Sequence, residues 1–278
     1  MKKIHISKST ILAVAFFGIM TVVSINAANA QNDTVNPLFS TTGPNELGQG
    51  HIQWNSSLEY YYLTVPMGTS YPNANLNSFG ANTGLRFGIG DRAELTLDVK
   101  GAYNTFDTTY YHNTTGFTPS IGAKLLLYEG KGWLPKTAFF TNIALPVHQN
   151  AFNGNWNYTI QPEIGFQFRN TIGTRYVIDY SLSCSWNEVS SALSDPKSLL
   201  QYSVGMYRLL NDYHTLGIEV TNNNSAHRLG GYFVARWQKN DNLQLLAKFG
   251  FAGGISFDSG SSFAGDVSGL VGVSWMIR

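Results

Sequence analysis

The chain has 278 residues, a formal net charge of +1, 13% charged residues and 14% aromatics. This balance offers no basic patch for nucleic acid, and so few charges, against the roughly 25% of an ordinary soluble domain, make a poor water-facing surface. The one cysteine, Cys184, cannot form an internal disulfide, and it reads as a small buried hydrophobe.

Residues 1–30 read as a signal peptide that is cleaved. Lys2, Lys3 and Lys8 precede the apolar run Ile11 to Val23, which is too short to span a bilayer, and Ala28-Asn29-Ala30 supplies a small-x-small cleavage site. Gln31 to Gly48 follows without periodicity and with Pro37 and Pro44, an irregular extension that is either disordered or tucked inside the domain formed by residues 49–278. Nothing after residue 30 is apolar enough for a transmembrane helix, so entry into a membrane must be by strands.

From His51 the pattern alternates with period two. Ile52, Trp54, Leu58, Tyr60 and Tyr62 oppose Gln53, Asn55, Ser57 and Glu59 in the first strand. FGANTGLRFGIGDRAELTLDVKGAY, Phe79 to Tyr103, is a long hairpin turning at Gly90-Asp91-Arg92, apolar on one face and polar on the other. After a loop at Thr105 to Gly116, strands run from Phe117 to Tyr128, Lys136 to Val147 and Trp156 to Arg169, the last interrupted by Pro162. Further alternating runs centre on Tyr180, Val204, Ile218, Ala235, Ala247 and Val271, which brings the count to about twelve strands.

Strands of this length, joined by connections that are alternately long and tight, predict an all-β, transmembrane, antiparallel up-and-down β-barrel with both termini in the periplasm. The six tryptophans agree: Trp54, Trp237 and Trp275 fall at periplasmic strand ends, Trp133 in a periplasmic turn, and Trp156 and Trp186 at outer strand ends. A secreted β-sandwich would alternate too, but it would not confine its tryptophans to strand ends. Glu59, Arg86, Asp98, Lys100, Lys124, Glu163, Asp179, Glu219 and Lys248 all take the polar parity and are expected to line the interior, because a cation facing lipid at the midplane costs roughly 2 to 4 kcal/mol.

The segment PSIGAKLLLYEGKGWLPKTAFFTNIALPV, Pro119 to Val147, resembles the family named for the MetA-pathway of phenol degradation, outer-membrane transporter barrels. Ser120, Gly122, Lys124, Pro135, Leu145 and Pro146 carry the pattern, and Arg86, Gly90 and Glu94 extend it around the preceding turn. The chain departs from many outer-membrane barrels by ending on Arg278 rather than an aromatic residue. The resemblance implies passive passage of small, hydrophobic or aromatic molecules through the outer membrane, with lipid as the surrounding partner. About twelve strands fit that reading, standing between barrels filled by side chains and barrels with a wide aqueous channel. A structural or adhesive barrel without a continuous pore is the alternative.

A lipid hydrolase of the barrel type would need a Ser/His pair at the lipid face. Ser225 beside His227 is a loop neighbour with no spaced acid partner, and His148 and His214 fall at strand ends, so no enzyme is expected. Neither a Cys/His cluster of metal-ligand spacing nor a glycine-rich phosphate loop occurs, and no metal or cofactor is expected.

Overall fold

The computed structural model describes residues 47–65, 74–108, 111–131, 133–151, 153–187, 197–223, 228–254 and 265–277. The expected signal peptide, most of the 31–48 extension and the pair Ser225 and His227 lie outside them.

Fourteen strands form one sheet. They are β1 (Ile52–Val65), β2 (Ala74–Gly88), β3 (Ala93–Phe106), β4 (Thr114–Tyr128), β5 (Lys136–Ala144), β6 (Val147–Gln149), β7 (Trp156–Tyr158), β8 (Gln161–Ile172), β9 (Tyr176–Asn187), β10 (Lys197–Leu209), β11 (His214–Asn223), β12 (Arg228–Asn240), β13 (Leu243–Gly254) and β14 (Gly265–Ile277). All pairings are antiparallel, β1 closes on β14, and β3 on β4 completes the ring. β6 continues β5, and β7 continues β8, so twelve staves make the wall. Closure leaves no sheet edge to template pairing with another chain, and it is the only way strands satisfy their backbone in lipid.

The register sends alternate residues to opposite faces. Gln53, Ser57, Arg86, Glu94, Lys124, Asp179, Glu219 and Ser274 are buried inside. Leu58, Phe79, Ile121, Ile143, Leu216, Phe233 and Val271 lie exposed outside, at 47% or more. A soluble sandwich would bury these apolar side chains between two sheets; here the single closed sheet turns them outward.

Three readings of the sequence need correction. The loop expected at Thr105–Gly116 is shorter, because β3 runs to Phe106 and β4 begins at Thr114. The strands expected from Lys136 to Val147 and from Trp156 to Arg169 are each broken, at Leu145-Pro146 and at Thr159-Ile160, and Pro162 lies within β8 beyond the break. Ile178 and Tyr180 take the outward parity yet are buried. The connection between β4 and β5 lies against that face: Asn170 Nδ2 donates to the Trp133 carbonyl at 3.2 Å, and the Tyr180 hydroxyl donates to Asn170 Oδ1 at 3.1 Å.

Candidate functional site: the barrel interior

Four charged groups are assembled by the cross-strand register. Glu94 on β3 stands directly opposite Lys124 on β4, and diagonally across the tight β2–β3 turn from Arg86. Its carboxylate, 2% exposed, accepts from Arg86 Nε at 3.1 Å and pairs with Lys124 Nζ at 3.0 Å. The network continues around the wall, with Arg86 Nη1 donating to Gln53 Oε1 at 2.7 Å, Gln53 Nε2 to Ser274 Oγ at 2.5 Å, and Ser274 Oγ to Asn55 Oδ1 at 2.9 Å. Two buried cations share one carboxylate here, so the group carries one excess positive charge.

Glu219 on β11, fully buried, centres a second group. Lys248 Nζ lies 2.6 Å from its Oε2, the Tyr207 hydroxyl donates to its Oε1 at 2.6 Å, and Arg236 stands 3.9 Å away. The Arg236 guanidinium covers the Tyr207 ring at 4.1 Å and the Lys248 ammonium covers the Tyr232 ring at 4.0 Å, an attraction of the ring face for a cation. Both rings lie where glycines leave room: a Cβ at Gly217 would overlap Tyr207, and one at Gly250 would overlap Tyr232. Val177, Val234, Leu246 and Leu270 pack with Tyr207 beside this group.

Arg169 and Asp179, cross-strand partners, form a two-pronged pair with Nε–Oδ1 at 2.6 Å and Nη2–Oδ2 at 2.8 Å. Glu59 pairs with Lys100 at 3.0 Å and accepts from the Tyr61 hydroxyl at 2.9 Å. Asp98 and Glu163 have no ion pair among the described residues.

These groups divide the interior. Tyr207, Tyr232 and the apolar cluster fill the side formed by β10–β14. The other side holds a cavity of about 530 Å³, lined by Arg86, Glu94, Asp98, Lys100, Lys124 and Glu163 together with Asn, Ser, Thr and Gln side chains and with Phe140, Tyr202 and two alanines, and receiving no residue from β12, β13 or β14. Asp179, Glu219 and Lys248 stay in the filled wall outside the cavity lining. Glu94, Arg169 and Arg236 share the polar parity, but only the three-dimensional register marks them as centres or partners. Tyr232 shares that parity with Arg236, while Tyr207 carries no sequence signal, since tyrosine occurs on both faces.

The described start of the chain meets this interior. Leu47 is buried, its N–H donates to Glu94 Oε2 at 3.1 Å, and a Cβ at inward-facing Gly88 would strike the Leu47 and Gly48 carbonyls. Of the described histidines, His148 is exposed on β6, and His214 contacts Asn211 Oδ1 at 3.0 Å.

A closed twelve-stave wall with an apolar outside and a charged inside is the fold of an outer-membrane β-barrel. An outer membrane channel from Pseudomonas putida F1 shares it with a TM-score of 0.62 at 9% identity, over 87% of this chain and all of that one. The translocator domain of the autotransporter NalP from Neisseria meningitidis gives 0.50 at 16% identity, over 84% and 90%. The transport unit of the autotransporter AIDA-I from Escherichia coli gives 0.51 at 12% identity, over 88% and 96%. No protein-family model and no curated protein matches the chain.

Proposed function

We propose that the chain is an outer-membrane channel that passes small molecules down their gradient, without catalysis, both termini lying in the periplasm. The observation that carries this is the interior cavity of about 530 Å³ with its polar and charged lining. A purely structural barrel has no need to hold such groups around a space. Hydrophobic or aromatic solutes are the substrate class, on the resemblance of Phe79 to Val147 to the phenol-degradation MetA-pathway barrels. The likeness in fold to the Pseudomonas putida channel supports the same reading.

The extension Gln31 to Gly48 belongs to the lumen as a partial plug. Leu47 and Gly48 lie against Glu94 and Gly88 on the inside of the wall, so the chain reaches β1 from within. Deleting Asn32 to Asn45 tests both statements in planar bilayers. The parent is expected to conduct in small unitary steps, and the deleted form in steps larger by about twofold or more, since conductance follows the narrowest section. Equal steps would remove the plug, and no steps from either protein would leave a structural or adhesive barrel as the better reading.

A further inference from the structure

The charges that border the cavity are sorted by sign. At one end stand Arg86 and Lys124, both largely buried, which share the single Glu94 carboxylate and so leave one positive charge beside the space. At the other stand Asp98 and Glu163, which line the same space and have no ion pair among the described residues. Glu163 accepts a hydrogen bond from the Ser183 hydroxyl, a neutral partner that leaves its charge uncompensated. The Asp98 carboxylate lies over Gly84 of β2, where a Cβ would overlap it.

The register sets the distance between the two ends. Glu94 and Asp98 are four residues apart on β3, about 13 Å along the strand. Lys124, Phe140 and Gly165 share one rung across β4, β5 and β8, and Glu163 lies two residues beyond Gly165. That places Glu163 about 12 Å from Lys124 at the backbone, a gap that narrows as both side chains reach inward. Between the ends the Phe140 ring lies over Gly165, where a Cβ would strike it, and Ala144 and Tyr202 also border the space. The middle of the cavity therefore offers apolar surface between two charges of opposite sign. Secluded charge without a counter-charge is costly, and a solute that carries both missing charges offsets both ends at once. A singly charged solute offsets one end, and an apolar solute offsets neither.

We propose that the cavity is a binding site for small zwitterions whose carboxylate and ammonium are separated by an apolar or aromatic spacer. The carboxylate meets Arg86 and Lys124, the ammonium meets Asp98 and Glu163, and the spacer lies along Phe140. This rests on the channel reading above and narrows its solute class to aromatic molecules charged at both ends. A cavity of about 530 Å³ is of the size that encloses such a molecule.

Three probes built on one ring separate the two ends. 4-(Aminomethyl)benzoate carries both charges, benzylamine only the ammonium, and 4-methylbenzoate only the carboxylate. Their affinities for the purified full chain in detergent are measured by isothermal titration calorimetry at neutral pH, with protein-free micelles as the blank, and their block of ionic current is measured in planar bilayers. The zwitterion is expected to bind about tenfold or more tightly than either singly charged probe, the worth of one further charge-assisted contact. Lys124→Met, which leaves Arg86 paired with Glu94, should lower its affinity to that of benzylamine, and Asp98→Asn/Glu163→Gln should lower it to that of 4-methylbenzoate. Affinities within about twofold of one another for the three probes overturn the site, as does a singly charged probe that matches the zwitterion, or no binding at all. Unchanged zwitterion affinity in either variant overturns it too, and the comparison of probes on the parent decides the matter without any variant that fails to fold. A parent that conducts but shows no preference keeps the channel reading and loses the site. One that binds the zwitterion but conducts nothing keeps the site and defeats the channel reading.

Discussion

At the scale of single residues, Glu94 is the carboxylate on which the interior depends most. It is buried between Arg86 and Lys124, and its loss leaves two largely buried cations at the cavity wall without the charge they share. Removing one partner of such a group costs about 3 to 5 kcal/mol, whereas removing charge from both sides together costs far less. Glu94→Gln is therefore expected to lower the temperature at which the folded barrel loses its compact mobility on a gel, and adding Lys124→Met should recover more than half of the loss. No change for Glu94→Gln would show that the two cations are solvated from the cavity. The sequence reveals the face that Arg86, Glu94 and Lys124 share, because parity alone places charges inward. It does not reveal that Glu94 joins the other two, since that needs the register across both seams of β3.

Elements show the same division between pattern and register. Alternation locates every stave, and tight turns such as Gly90-Asp91-Arg92 locate the reversals. Pro162 marks an interruption of its strand in the sequence, whereas the place of the β7–β8 break at Thr159-Ile160 and the whole β5–β6 break are not legible, because Pro146 looks tolerable at a strand end. The β5–β6 break shows only across the seam, where Pro119 on β4 has no N–H to return to Leu145 and the β4–β5 ladder ends at the next rung, Ser120↔Ala144. The seating of Tyr207 is likewise a property of three strands, with the ring of a β10 residue lying over Gly217 of β11 and capped by Arg236 of β12. Gly217→Val should push the ring off this seat and weaken its bond to Glu219. Overpacking of that kind costs about 1 to 3 kcal/mol, measurable as a lower unfolding midpoint in urea, and pairing it with Tyr207→Ala should relieve the strain. An unchanged midpoint for Gly217→Val would mean that the ring moves without consequence.

For the whole molecule, low charge, high aromatic content and strand-end tryptophans already point to a membrane wall, and the structure adds how unevenly the interior is filled. The half holding Glu219, Lys248 and the two tyrosines braces the barrel, while the half bordered by Asp98 and Glu163 holds the space. Around that space Arg86 and Lys124 against Glu94 leave one positive charge, Lys100 is offset by Glu59 behind it, and Asp98 with Glu163 supply two negative ones, since neither is ion-paired among the described residues. A ring with this balance favours cations over anions at a narrow section. The most direct measurement is the reversal potential of the parent and of Asp98→Asn/Glu163→Gln in planar bilayers under a potassium chloride gradient. A path through this cavity predicts a cation-preferring parent and a double variant whose potential moves to zero or to the anion side. Identical potentials for the two proteins would contradict it, because the conducting path would then avoid the cavity.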